Sequence, residues 1–402
     1  MRRMTSTRRG GFTLVELLVV IAILAVLATL ATAAFFRVRG SSTVSSTEAT
    51  LQKLKSGLDK RWKAVLDDAA DDVSKDRLPA NIRDGLYRFA ANDKDRVRVL
   101  WTYIKLKNEF PTTLAEACSP VWVPTLNADG SAGPYLPALQ PKAVFVEGYR
   151  KQAGVAPGPT VTGFANALPL GTPAEQQKFI DASAVESAAC FHWSLTATAS
   201  RGETFGNDGT SQQTGEVDVQ LPIRFPGRSG AGTGMMPALQ TFKDAWGNPI
   251  AFVRQAFIPG ETDKVPYTKA PVGKQDPIDP LGKLTTNDPA GWSNGRLDEF
   301  WIVLNSGVDA SGNPDLTAGR HWCYDNDPGN PLTPVFPLPA SGRGGVPKPQ
   351  YQKPVNGIYI AQNWVPTLIS AGSNKSFELG KGRFAAGDDL FSFRLGRDSK
   401  GN

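Results

Sequence analysis

The sequence is poor in the residues that most often carry chemistry. Among its 402 residues there are two histidines, His192 and His321, and three cysteines, Cys118, Cys190 and Cys323. No CxxC or comparable ligand spacing occurs, which excludes the common structural zinc frameworks. An odd cysteine count defines no disulfide scaffold either: one disulfide plus one free thiol and buried free thiols both stay open. GxSxG, HExxH, Walker A and dinucleotide fingerprints are absent. Both histidines sit among aromatic residues ("CFHWS", "RHWCY"), a setting that reads as packing. Cys190 and His192 share a face if they lie on a strand, but two such groups make no catalytic triad by themselves. The expectation is a protein that is not an enzyme. A concentrated Lys/Arg stripe is missing as well. The net charge is +6, but removing residues 1–11, with Arg2, Arg3, Arg8 and Arg9 and no acid, leaves +2. No nucleic-acid partner is expected.

What the chain does have is a long uncharged run near its start. From Leu17 to Phe36 there is no charged residue and no proline. As a helix, Phe12 to Phe36 would span about 37 Å, enough to cross a hydrocarbon core of ~30 Å. The arginines before it predict an N-terminus in the cytoplasm and everything after Phe36 on the other side. Against this run stands one carboxylate, Glu16, which costs on the order of 2.5–3.5 kcal/mol at a bilayer centre and less near an interface. A secretory signal cut after Ala31-Thr32-Ala33 would need an apolar core of only about 7–15 residues. A static anchor accounts for the length and leaves Glu16 unexplained.

The stretch Gly11-Phe12-Thr13-Leu14-Val15-Glu16, preceded by a short arginine-rich leader and followed by the apolar run, closely resembles the type IV prepilin and pseudopilin signature. The resemblance implies cleavage by a prepilin peptidase between Gly11 and Phe12, N-methylation of Phe12, and Glu16 as the fifth residue of the mature chain. It further implies that Glu16 meets the N-terminal amine of a neighbouring subunit during assembly. Such a pair offsets the burial of the carboxylate and fixes axial register, and losing one partner is worse than losing both.

Further along, Gly40-Ser41-Ser42 and the Ser/Thr-rich stretch to Thr50 predict a flexible break. Leu51, Leu54, Leu58, Trp62, Val65 and Leu66 then recur at helical spacing, with Lys53, Lys55, Asp59, Lys60 and Lys63 on other faces. Residues 84–110 predict a second helical region ended by Pro111, and residues 119–180 read as proline- and glycine-rich loops. Strands are predicted at Phe191–Ala197, Val217–Phe225, Ile250–Phe257, Phe300–Asn305, Tyr359–Ala361, Thr367–Ser370 and Leu390–Leu395. Helices followed by strands without regular alternation predict an α+β fold, with the long N-terminal helix packed on an antiparallel sheet, pilin-like, and a large loop-rich insertion. The expected divisions are a leader 1–11, a transmembrane assembly helix 12–36, an amphipathic region 37–110, a loop-rich insertion with strands 111–240 and a β region 241–402.

Two later blocks carry a second resemblance. Asp244-Ala245-Trp246-Gly247-Asn248-Pro249-Ile250 is similar to the Asp-x-Trp-Gly-x-Pro segment of major pseudopilins of type II secretion systems, and Gly-Asn-Pro reads independently as a turn before a strand. The stretch from Pro366 to Asn374, with Asp388-Asp389-Leu390 after it, is similar to that family's closing pattern, where a loop and an acidic pair surround calcium. The resemblance places Ser370, Asn374, Asp388 and Asp389 as ligands, with Asn374 and Lys375 departing from the usual aspartate. A competing oxygen-rich loop holds Asp309, Ser311, Asn313 and Asp315 at alternate positions, which suits a single cation and equally an Asx-turn. Calcium is the one cofactor these residues admit.

Together these readings predict a pseudopilin, a structural subunit of a type II secretion or related type IV filament machine. It would sit in the inner membrane as a single-pass protein, N-terminus cytoplasmic and C-terminal part periplasmic. Its partners would be prepilin peptidase, other pilins or pseudopilins and the secretion inner-membrane platform. The alternative is a type IV pilus subunit or minor pilin whose outer domain binds a surface or DNA.

Overall fold

The computed structural model describes residues 14–153, 173–196, 216–219, 239–256, 365–375 and 390–392, together with Phe377 and short pieces between 278 and 315. Two compact units are present, Met1–Ser46 and Thr47–Asn402. The fold is α+β, an N-terminal apolar helix and small antiparallel sheets.

Helix α1 runs from Leu14 to Ser74, 61 residues. The break predicted at Gly40–Thr50 is not there. That stretch holds no proline, and the Thr43 hydroxyl is satisfied inside the helix, donating to the carbonyls of Arg39 and Gly40 at 3.2 and 2.8 Å. A single glycine costs about 1 kcal/mol against alanine, too little to interrupt a helix propagating from both sides. In the second unit the predicted stripe is buried: Leu51, Leu54, Leu58, Trp62 and Val65, continued by Ala69 and Val73. Leu66 is only partly covered. The helix stops where Asp76 takes a left-handed conformation, φ 53°, shortly before Pro79.

The second helical region is two helices, α2 (Arg83–Phe89) and α3 (Lys94–Glu109). Ala91 and Asn92 turn the chain between them at φ 55° and 57°. Asp93 then caps α3, its Oδ1 accepting from the backbone N–H groups of Asp95 and Arg96. α3 ends at Phe110, before Pro111 as expected. Its faces are buried almost all round, with Val97, Leu100, Trp101, Tyr103, Ile104 and Leu106 in the main core. Gly85 lies against Thr125 so closely that a Cβ there would sit 2.7 Å from the threonine side chain.

The described residues between 114 and 196 are more helical than the predicted loops. They form α4 (Leu114–Cys118), a hairpin of β1 (Val121–Val123) and β2 (Leu136–Leu139), α5 (Ala143–Ala153) and α6 (Pro173–Thr196). Phe191–Ala197, predicted as a strand, is instead the last turn of α6 through Thr196. Ala-rich sequence upstream propagates the helix, and Ser194 and Thr196 donate their hydroxyls to the carbonyls of Cys190 and His192. α6 packs on β4 (Leu239–Phe242) and β5 (Ile250–Ala256), where the Phe191 ring stacks on Phe252 at 5.0 Å and meets Phe242 edge-on at 5.9 Å.

β3 (Glu216–Val219) pairs with β4, and β5 pairs with β8 (Val365–Ser370), which in turn carries β9 (Leu390–Phe391). A further short pair joins β6 (Gly307–Val308) and β7 (Pro314–Asp315). Of the strand predicted over Phe300–Asn305, the described residues Phe300, Val303 and Leu304 are helical instead and buried. Apolar content alone does not separate a short buried helix from a buried strand. The strand expected at Tyr359–Ala361 lies outside the described residues.

Beneath β5 lies a buried ionic network. Arg254 of β5 grips Glu116 of α4 with two hydrogen bonds, 3.0 and 3.2 Å, and donates to the Phe110 carbonyl at 2.8 Å. Thr112 donates to Glu116 through its N–H and its hydroxyl. Lys107 of α3 lies 3.7 Å from Glu116 and donates to the Leu304 carbonyl. Burial pushes the Lys107 ammonium down to about 8, with Glu116 opposing that and Arg254 reinforcing it. A lysine depressed in the folded state binds fewer protons there than in the unfolded chain between about pH 8 and its ordinary value. Its contribution to stability therefore grows as pH rises from 8 to 10. Denaturation of wild type and Lys107→Met at pH 7, 8.5 and 10 should show wild type gaining on the variant by roughly 3 kcal/mol across that window. A difference that stays flat with pH would refute the assignment.

Candidate functional site

Residues 1–13 lie outside the description, so Gly11 and Phe12 are not placed. Glu16 occupies the first turn of α1, where the helix dipole favours an acidic side chain. After it, Leu14–Thr32 is long and apolar enough to cross a membrane, and none of it is buried by the rest of the protein. Leu14 is 77% exposed and Leu30 63%. The polar groups in this run are accounted for internally, since Thr29 and Thr32 donate to the carbonyls of Val26 and Ala28, both at 2.7 Å. Such internal satisfaction is what a hydrocarbon surrounding demands.

The Asp244 block forms a clasp. Asp244 is 3% exposed. Its Oδ1 accepts from the N–H of Trp246 and of Asn248, and its Oδ2 accepts from the Asn248 amide and, at 2.6 Å, from the Ser370 hydroxyl. The Asn248 amide also donates to the Gly372 carbonyl at 2.7 Å. Gly247 supplies the left-handed corner of the turn, φ 84°, and Lys243 bridges to Pro249 across it. Ala245 N–H donates to the buried Thr47 hydroxyl of α1. One carboxylate thus joins the β4–β5 turn to the end of β8, with α1 beside it. The sequence signal for the turn was present, an Asp followed at the third position by Gly. Nothing in the sequence marked Thr47 or the reach to Ser370.

This arrangement bears on the candidate calcium residues. Ser370 is fully buried, gives its proton to Asp244 and accepts from Gly372 N–H. Asn374 is exposed, and Lys375 beside it is exposed and left-handed, φ 63°. The Ser370 hydroxyl is thus engaged with Asp244, and Asn374 lies at the surface next to the Lys375 ammonium. Asp388 and Asp389 lie outside the described residues. In the competing loop, Asp309, Ser311 and Asn313 also lie outside. The backbone of Asp315 pairs with Gly307, and the β6–β7 hairpin brackets the loop. Among the described residues no cluster of three or more His, Cys, Asp or Glu could hold a metal.

The Cys190–His192 pair is on a helix, where residues two apart do not face one another. His192 is buried with its ring 4.8 Å from that of Phe242. Cys118 and Cys190 are free thiols. Burial pushes Cys118 up to about 12 and holds Cys190 well above the ordinary thiol range, the reverse of an activated nucleophile. Cys323 and His321 lie outside the described residues.

Removing the clasp carboxylate should cost more than removing one of its donors. Asp244→Ala strands several buried donors and should destabilise the protein by roughly 3 kcal/mol, against about 1 kcal/mol for Ser370→Ala. Chemical denaturation of the detergent-solubilised protein reads both. Equal effects would mean the carboxylate does not hold the turn.

Comparison with known families adds one finding: the model of the prokaryotic N-terminal methylation motif matches residues 6–32. No curated protein and no solved structure matches the chain. The matched segment contains the Gly11–Glu16 stretch and the whole exposed apolar span Leu14–Thr32. The chain thus carries a prepilin-type N-terminal methylation motif, the signature of type IV pilin-like precursors that prepilin peptidase processes.

Proposed function

We propose that the protein is a pseudopilin, a structural subunit of a type II secretion or related type IV filament machine. The observation that carries this reading is the coincidence of the methylation motif with a helix end that nothing in the chain covers. The leader is removed between Gly11 and Phe12, and Phe12 is methylated. The helix Phe12–Phe36 holds the precursor in the inner membrane, with the arginine-rich leader cytoplasmic and the residues after Phe36 periplasmic. Glu16 then pairs with the Phe12 amine of a neighbour, compensating two charges in a low dielectric and setting register. The Asp244–Asn248 turn leading into β5 favours a secretion pseudopilin over a pilus adhesin. Cargo secretion against motility and DNA uptake in a deletion strain separates the two.

The N-terminus of membrane-extracted protein tests the processing. Intact mass and peptide sequencing should find a start at Phe12 with one added methyl, and Glu16→Ala should leave processing intact while blocking assembly. A start near Ala34 or an intact Met1 would sink the reading.

The C-terminal loop in this proposal is closed by Asp244 and Asn248 and needs no calcium. Melting temperatures in excess calcium and in chelator should coincide. A calcium-dependent rise that disappears in Asp388→Asn or Asp389→Asn would overturn this and reinstate the acidic pair as ligands.

A further inference from the structure

Two cysteines of the folded unit sit at one helix contact that the processing and membrane roles do not use. Helices α4 and α6 are tied at a fixed point: the buried Glu186 of α6 accepts from the backbone N–H of Leu114, the first residue of α4, at 2.7 Å. One helical turn beyond Glu186, on the same face of α6, is Cys190; one turn beyond Leu114 on α4 is Cys118. Leu114, Ala117, Val185, Ala189 and Cys190 share one small core, and Cys118 packs against its edge. Alanines on both helices remove the bulk that would hold their backbones apart. The Glu186 carboxylate acts on both thiols, and the Cys118 thiol acts on Cys190, so the three groups lie within electrostatic reach of one another. The described form is the dithiol, with Cys118 half-buried and Cys190 fully buried.

We propose that Cys118 and Cys190 are a disulfide-forming pair that staples α4 to α6 in an oxidising compartment. The proposal rests on the reading above that the residues after Phe36 lie outside the cytoplasm, where disulfides persist. The co-reactant is the disulfide of a thiol oxidant, either a protein or oxidised glutathione. Cys118, the more accessible thiol, loses its proton to solvent, and its thiolate attacks that disulfide, forming a mixed disulfide and expelling one thiolate. Cys190 then loses its proton and attacks the Cys118 sulfur. The Sγ–Sγ bond forms and the oxidant's second sulfur leaves as a thiolate. Two protein thiols are oxidised, the oxidant's disulfide is reduced to two thiols, and these take up the two protons. Cys118 is the last residue of α4 and is followed by the extended Ser119. Its side chain can therefore turn without unwinding a helix, toward the Cα separation of about 4.4–6.8 Å that a disulfide needs. Burial holds both thiols above the ordinary range, so exchange is fastest while the α4–α6 contact is still closing. The bridge joins residues 119–189, with the β1–β2 hairpin and α5, into one loop, and closing a long loop restricts the unfolded chain strongly.

The test uses the full-length chain in two arms. In the first, cells are quenched in acid and free thiols are blocked with a maleimide, then disulfides are mapped by peptide mass spectrometry before and after reduction. In the second, reduced protein in detergent is incubated with oxidised and reduced glutathione across a graded series of urea, so that burial does not hold exchange back. Cys118→Ser and Cys323→Ser chains pass through both arms. The expected result is a peptide linked through Cys118 and Cys190 in both arms, kept in Cys323→Ser and lost in Cys118→Ser. A link from either residue to Cys323, or maleimide on both Cys118 and Cys190 in both arms, overturns the pairing and leaves the assembly reading standing. A bridge that forms with glutathione and is absent from the cells supports the pairing and overturns the placement of the folded unit in an oxidising compartment.

Discussion

The constraint on which the rest depends is that the first half of α1 is apolar on every side. A core helix hides one face and wets the other; Leu14–Thr32 wets nothing by design and is covered by nothing in the chain. Burying a leucine, isoleucine or valine side chain is worth about 1.5–3 kcal/mol, so a run of them left in water is far outside the marginal stability of a folded domain. Lipid or other helices must surround it. The internal bonding of Thr29 and Thr32 and the placing of the one carboxylate at the extreme end, in Glu16, are consistent with that demand. The folded unit's cores begin at Leu51 and use none of the apolar run, so its stability does not compete with membrane insertion for the same residues.

The folded unit is organised by buried polar groups as much as by its apolar core. Glu116 and Asp244 each bind several donors from different elements; Asp244 is buried and the Glu116 side chain is mostly covered. Short strands contribute few ladder bonds of their own. Fixed carboxylates then supply directional contacts where pairing is thin: Glu116 joins α3, α4 and β5, and Asp244 joins a turn to the end of β8. Such groups hold geometry at the expense of net stability, since the desolvation of each charge offsets most of what its hydrogen bonds return.

What was legible in the sequence was what depends on neighbours in the chain. The Leu51–Val65 stripe, the end of α3 before Pro111 and the strand beginning at Ile250 all follow from local spacing or from proline geometry. The methylation motif was legible for a different reason, because it is read by an enzyme as a linear signal. The errors lie where tertiary surroundings overrule local preference. Phe191 and His192 look like strand residues by composition, yet they finish a helix whose upstream half favours continuation. The stretch 300–304 is apolar enough for a buried strand, yet its described residues Phe300, Val303 and Leu304 are helical and lie in the core. The Ser/Thr stretch around Gly40 looked like a hinge because those residues compete for backbone bonds, and here Thr43 does so without interrupting the helix. The clasp was half visible: Asp244 announced a turn, but the two residues it ties, Ser370 and Thr47, are far from it along the chain.

The pairing of β5 with β8 has a consequence for how the molecule is made. Ile250 lies opposite Ser370, so the ladder closes across a long stretch of intervening chain. The contacts among α1, α2 and α3 are close in sequence by comparison, and local contacts form early. During synthesis the N-terminal helices can therefore collapse onto one another while β5 still has an open edge along the side that β8 will take. An open edge is a template for strands of other molecules. A polypeptide interrupted before residue 365 would keep its helical half and carry that edge indefinitely, which makes the last part of the chain a lock on aggregation as well as a piece of the sheet.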